Sequence, residues 1–439
     1  MYLGAELARL GHEVHVLAPD LAWDYGDGLP ALPDTVQVHR CFAGPVNGYG
    51  AWCRRRRARM QESSGNAAAG GERATPIPHV VGELNWKGVL WHAGIDLKRW
   101  VFHSLSRFFA WVVFPDIRGE WEYWARRELR RLLETLRPDV VVSSHEPATT
   151  LRLGLLASRQ GFPWVADIGD PVLAPYTPAR WRRKAMRLEA EVCRRADRIT
   201  VTVEAARSLF AARHGRTQGV HVVSQGFDQQ RGLQAPPAAA SRGGRLLELL
   251  YTGSFYSFRT GDALVEAVLA TPGVRLSLAT MNPPDAVTAA AARHPEAIRM
   301  LGFLPHTAVL DLQRQADVLV NIGNALPDQV PGKIFEYLGA GKPVLHLSAG
   351  GDDAGARVLT ETGRGVICEN DAGPLASLLA RLVQSEDIAG DFGLDLSPRR
   401  VADHSWESAA ARLAAVLDSA RTRNAVEGGV ETAAPETTP

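Results

Sequence analysis

The chain has 439 residues, 46% hydrophobic and 22% charged, the make-up of a soluble globular protein large enough for two domains with real cores. A net charge of +1 gives no whole-chain attraction to nucleic acid, so an electrostatic partner has to be met by a local patch. Cys41, Cys53, Cys193 and Cys368 stand far apart with no Cys-x-x-Cys pair, which speaks against a zinc site or a disulfide framework and fits a reducing cytoplasm.

No signal-peptide pattern opens the chain, and no apolar run reaches the roughly 20 residues of a membrane-spanning helix. Tyr2 to Leu10 reads as an amphipathic helix, Gly11-His12 as a turn and Glu13 to Ala18 as a strand. An α/β domain of this kind opens with a strand and a glycine-rich loop before that helix, so the first strand is missing from the expected order. Pro19 to Ala74 reads as irregular and contains Arg54-Arg55-Arg56-Arg57. Trp86 to Phe114 sets Trp91, Trp100, Phe102, Phe108, Phe109 and Trp111 among Lys98, Arg99 and Arg107. Together, residues 19–115 form an aromatic and basic insertion. It suits either a helix lying in a bilayer interface or an amphipathic helix packed on its own sheet.

Glu120 to Leu136 reads as a charged helix and Val140 to Ser144 as a buried strand. A helix from Thr150 to Arg159 and a strand from Trp164 to Asp167 follow, an alternation that predicts a parallel sheet. In such sheets ligands lie beyond the carboxyl ends of the strands, where His145, Glu146, Asp167 and Asp170 fall. A basic helix, Arg180 to Ala196, precedes a strand ending near Val203. Ala235 to Gly244 reads as a Pro/Ala/Gly linker, and Leu247 to Tyr251 starts a second run of alternation lasting to about Val383. Ser405 to Arg421 reads as the last helix.

The chemistry concentrates between Gln329 and Val344. Pro331-Gly332-Lys333 supplies a turn and a cation, and Glu336 opens a short helix read as Phe335 to Gly339. Helix N-termini bind phosphates through free N–H groups and a favourable dipole. A carboxylate in that helix can accept two hydrogen bonds from a ribose diol. Upstream, Thr252-Gly253-Ser254 follows a strand and Arg259 lies six residues past the glycine.

These residues resemble the nucleotide-sugar motif of retaining GT-B glycosyltransferases, in particular glycosyltransferase family 4 of the bacterial surface-polysaccharide type. Asp328 and Glu336 have its spacing of two acids with seven residues between, and Gly341-Lys342-Pro343-Val344 is its turn. Asp328 stands where the family usually has Glu. His221 to Asp228 matches its strand and Asn-Gly-Val-Asp element, with Gln225 for Asn, and Pro163 to Pro171 is similar to its Pro-Trp-Ile-Ala-Asp-Phe-Arg-Asp-Pro element.

The resemblance implies an α/β fold of two Rossmann-like parallel-sheet domains facing a cleft. The expected division is residues 1–185 on the acceptor side, 186–396 for the nucleotide-sugar, 397–423 as a helix crossing back, and 424–439 as a disordered tail. It also implies a donor site of Gly253, Ser254, Arg259, Gly332, Lys333 and Glu336, with Asp328, His145 and Asp170 meeting the sugar and acceptor. The implied reaction moves a sugar from a nucleoside diphosphate donor to a glycan or lipid-linked glycan, with no metal, cofactor or nucleic acid, in the cytoplasm or at the inner face of the cell membrane. The alternative is a non-catalytic homologue acting as a membrane-docked partner in polysaccharide assembly.

Overall fold

The computed structural model describes residues 1–21, 32–49, 114–116, 118–229, 244–256, 259–324 and 329–430, the side chains of 423–430 excepted. Asp328, the tetra-arginine run, most of the aromatic and basic insertion, the linker and residues 431–439 lie outside the described residues. The first domain opens with α1 (Tyr2–Arg9), β1 (Val14–Asp20) and β2 (Val36–Phe42). It continues with α2 (Glu122–Leu136), β3 (Val141–His145), α3 (Thr149–Arg159), β4 (Trp164–Ile168), α4 (Ala179–Arg195), β5 (Arg198–Val201), α5 (Glu204–His214) and β6 (Val220–Val222). The second domain runs β7 (Leu247–Thr252), α6 (Asp262–Ala270), β8 (Val274–Ala279), α7 (Asp285–Arg293), β9 (Ile298–Met300), α8 (His306–Gln315) and β10 (Val318–Ile322). It is completed by α9 (Lys333–Ala340), β11 (Val344–Ser348), α10 (Ala354–Glu361), β12 (Gly365–Glu369), α11 (Ala372–Gln384) and α12 (Ile388–Asp391). A long helix, α13 (Trp406–Val430), closes the chain.

Every strand pair is parallel. Strands β3-β4-β5-β6 form one sheet in that order, and β1-β2 form a separate pair, with no strand joining the two among the described residues. Strands β5 and β6 therefore belong to the first domain, and the boundary expected at 185/186 falls inside α4. That helix is basic outside, but it buries Ala185, Leu188, Val192 and Cys193 against the first sheet, so it is a domain helix. Strand β2 also corrects the irregular reading of Pro19 to Ala74: its alternation of Val36 and Val38 breaks at Arg40, and Gly- and Pro-rich residues surround it, so the period did not stand out. Helix α13 runs to Val430, past the residue 423 expected as its end.

The second sheet has the order β12-β11-β10-β7-β8-β9. Chain direction across the sheet reverses between β7 and β10, which makes that pair the topological switch point where doubly wound folds bind ligands. Strand β10 is buried on both faces: Val318, Val320 and Ile322 join one core and Leu319 the other. Helix α9 buries Ile334, Phe335, Tyr337 and Leu338 beside it.

The chain crosses between domains twice, side by side. Phe227 N–H donates to the His404 carbonyl at 3.1 Å and Trp406 N–H to the Phe227 carbonyl at 2.9 Å. Gly226 and Gly339 are needed here for space. A Cβ on Gly226 would lie 2.7 Å from the Ser405 backbone, and one on Gly339 2.6 Å from the Phe227 ring. From this crossing α13 returns to the first domain, packing Ala409 and Leu413 on Leu7 and Val223, then Val416 and Ala420 on Val165.

Candidate functional site

The switch point collects most of the residues singled out from the sequence. Strand β7 ends at Thr252, and Gly253 turns the chain with φ +148°, a conformation that suits a residue without Cβ. The Ser254 carbonyl accepts from Tyr251 Oη at 2.9 Å. Arg259 reaches across the switch point, its Nη2 donating to Asn324 Oδ1 just past β10. Its guanidinium lies 5.5 Å over the Tyr256 ring, and its buried Nε has no protein acceptor.

Helix α9 begins at Lys333, two residues before the expected start, so Glu336 closes its first turn and does not open it. Gly332 is the N-cap residue, and the Gln225 side chain of the first domain fills the space where a Cβ would stand. Glu336 Oε2 accepts from Lys333 Nζ at 2.8 Å and from Gln313 Nε2 at 3.4 Å. Oε1 carries neither bond. The helix is pinned from behind: Tyr337 Oη accepts from Thr252 N–H at 3.0 Å and pairs with Thr252 Oγ1 at 2.9 Å, and burial pushes the Tyr337 phenol pKa up. Gln313, fully buried on α8, also donates to Thr252 Oγ1 at 3.3 Å, so β7, α8 and α9 meet in one polar network around Glu336. Below it, Asn321 Nδ2 pairs with His346 Nδ1 and His346 Nε2 with Asp353 Oδ2, both at 2.8 Å. Burial opposes the Asp353 charge, but hydrogen bonds from His346, Ala356 and Ser348 hold its pKa down to about 2.

The first domain brings together the other pair. His145 ends β3, and Asp170 sits on the loop after β4. Burial lowers the His145 pKa to about 4, against a hydrogen bond to the Asp170 backbone and the nearby Glu189 charge, so its ring is neutral at pH 7. His145 Nδ1 is buried without a protein partner. The Asp170 loop is held by Glu189, whose Oε1 accepts from Leu173 N–H at 2.8 Å.

The two walls touch. Gln329 Nε2 donates to Tyr176 Oη at 3.0 Å, and Tyr2 Oη pairs with His306 Nε2 at 3.0 Å. Tyr2 also stacks on Trp406, centroids 5.2 Å apart. Tyr2, Gln225, His306, Gln313, Glu336 and Trp406 line one open pocket of about 550 Å³. Tyr2, His306, Gln313 and Trp406 were not legible as site residues. Among the described residues no group of three or more His, Cys, Asp or Glu side chains is placed to hold a metal ion.

Residues 111–226 match a family model described as a glycosyl transferase 4-like domain, a span that ends just after β6. Comparison with curated protein sequences finds no match. Among solved structures, sucrose-phosphate synthase from Thermosynechococcus elongatus is similar over 97% of this chain and 92% of its own, with 17% identity and a TM-score of 0.61. The fold is GT-B. HepE of Anabaena, solved with UDP and glucose, is similar over 66% of this chain and 81% of its own, with 18% identity and a TM-score of 0.53. The UDP-forming α,α-trehalose-phosphate synthase of Burkholderia vietnamiensis covers 74% of this chain and 80% of its own, with 16% identity and a TM-score of 0.51. The two-domain α/β architecture expected from the sequence is the one these structures share.

Proposed function

We propose that the protein is a retaining glycosyltransferase that moves a sugar from a nucleoside diphosphate, UDP first among the candidates, to a hydroxyl of a glycan or lipid-linked glycan at the inner face of a membrane. One observation carries the reading: Arg259 spans the ends of β7 and β10 through Asn324, and Lys333 is paired with Glu336 on α9, the helix that follows β10 at the same switch point. The complex of HepE with UDP and glucose supports the choice of nucleotide.

In this reading Glu336 Oε1 receives the ribose hydroxyls, and the diphosphate lies over the start of α9. Lys333 exchanges its bond to Glu336 for a phosphate oxygen. As the bond from the anomeric carbon to the diphosphate breaks, the negative charge left on the β-phosphate is met by Lys333 and by Arg259 bidentately. The acceptor hydroxyl attacks from the same face and passes its proton to the leaving phosphate, so no protein nucleophile and no metal is assigned. Asp328 contacts the transferred sugar. His145, neutral at pH 7, and Asp170 offer hydrogen bonds to sugar and acceptor.

A second reading, a non-catalytic partner in polysaccharide assembly, is favoured by one feature: both cations already have partners inside the protein, Lys333 in Glu336 and Arg259 in Asn324. Thermal shift with UDP-, GDP- and dTDP-sugars separates the two. A donor at a hundredfold over its Kd stabilises by about 2.7 kcal/mol. The enzyme reading expects that shift with one nucleotide and its loss in Glu336→Ala. No shift with any donor overturns it.

A further inference from the structure

We propose that the outer face of α4 docks the first domain on an anionic lipid bilayer. The helix carries Arg180, Arg182, Arg183, Lys184, Arg187, Arg194 and Arg195 against only Glu189 and Glu191. Glu189 points inward and is fully buried. Arg180, Arg183, Lys184, Arg187 and Arg194 recur at helical spacing on the opposite side and are all exposed. Glu191 is the one acid of α4 on that side, and it is taken up by Arg159 at 2.6 Å and Arg195 at 3.7 Å. The stripe is therefore a cationic surface and not a set of ion pairs within the helix.

Two further observations point to a lipid partner. The cations crowd the N-terminal half of α4, whose first turn has no acidic residue and whose N-cap, Pro178, gives no side-chain bond. Positive charge at that end opposes the helix dipole, so these residues cost the isolated protein stability, a cost an anionic surface removes. Apolar groups stand among them as well. Lys184 Nζ lies 4.7 Å from the Trp181 ring centre and the Arg180 guanidinium 5.3 Å from it. Phe114 packs on the same ring at 5.4 Å, while Met186, beside Arg187 in the sequence, is 39% exposed. Cations interleaved with aromatic and thioether side chains match a headgroup region with acyl chains beneath it. A nucleic acid backbone would use the charge and leave Met186 in water.

The position is apt. Helix α4 starts directly after the loop that carries Asp170 and Tyr176, so a bilayer against its N-terminal half lies at the mouth of the cleft on the acceptor side. The surface names the membrane partner of the proposed function, and its test needs no sugar nucleotide, so either can fail without the other.

The test is co-sedimentation of the full chain with vesicles of phosphatidylcholine alone and of equimolar phosphatidylcholine and phosphatidylglycerol. The wild type is expected to partition onto the anionic vesicles only and to be released by salt. The pair Arg183→Gln/Arg187→Gln is expected to weaken that partition about thirtyfold, or about fivefold for each cation removed near a charged surface. A second pair, Arg180→Gln/Lys184→Gln, should behave alike and guards against a folding defect in the first. Equal binding to both vesicle types overturns the proposal, as does full binding by both variants. Tighter retention on a homopolymer RNA than on anionic vesicles, lost in the same variants, assigns the face to nucleic acid and also overturns it.

Discussion

Removing one buried carboxylate should loosen the acceptor wall of the cleft. Glu189 is fully buried on α4, and both its oxygens are used. Oε1 takes the Leu173 N–H at 2.8 Å, and Oε2 takes Arg213 Nη1 at 2.8 Å and His214 Nε2 at 3.0 Å. Arg213 Nη1 also donates to the Leu173 carbonyl at 3.0 Å, so the loop is gripped at both its N–H and its C=O. Glu189→Ala strands a guanidinium, an imidazole and an amide together. Breaking a buried pair from one side costs about 3–5 kcal/mol. The Arg213 side chain is 21% exposed and can recover part of its hydration, which puts the loss near the lower end, about 3 kcal/mol. Glu189→Gln keeps one acceptor, for the Leu173 N–H, but turns an NH2 donor toward the Arg213 guanidinium, so a loss close to that of Glu189→Ala is expected. Guanidinium unfolding of the full chain measures the total, and amide hydrogen exchange at residues 172–177 locates it. A loss below about 1 kcal/mol in Glu189→Ala, the level of an ordinary surface change, would refute the account of this loop.

Acid should act through His145. Its folded pKa of about 4 lies below the ordinary 6.5, so between those values the unfolded chain holds a proton that the folded protein refuses. Stability is therefore complete above pH 6.5 and declines as pH falls toward 4, by about 3 kcal/mol. Denaturant midpoints across that window should show a matching slope that His145→Gln removes; equal slopes would count against the buried neutral ring. Tyr337→Phe leaves the Thr252 N–H without an acceptor at the back of α9 and its hydroxyl with Gln313 alone, for a loss of about 1–3 kcal/mol. Donor affinity should fall with it, because α9 carries Lys333 and Glu336, and unchanged binding by calorimetry would show that the helix keeps its place without that bond.

The second domain was legible because each element announces itself locally. Strand β10 is apolar but for Asn321, α9 is followed by a glycine with φ +68° at Gly341, and Pro343 blocks further helix. That Arg259 and Glu336 belong to one site was what the family resemblance implied, and the parallel sheet, with its strand carboxyl ends on one edge, is the physical reason both can stand at the switch point. What stayed hidden depends on partners far along the chain. Tyr337 meets Thr252 across 85 positions and Tyr2 meets His306 across 304, and no periodicity encodes such pairs. The domain boundary was misplaced for a related reason. The outer face of α4 is so basic that the apolar stripe of Ala185, Leu188 and Val192 beneath it did not stand out.

The return of α13 has a consequence for how the protein is made. Val165 in the first domain is covered by Val416 and Ala420, and Arg198 is bonded to the Ser419 carbonyl, 221 positions away. The first domain is thus assembled from two separate stretches of chain, with the whole second domain synthesised between them. On the ribosome its sheet must wait, one face uncovered, until a domain that can already fold has emerged behind it. Order of synthesis and order of completion are reversed: the half made first is sealed last, and the interval is when this chain most needs a chaperone.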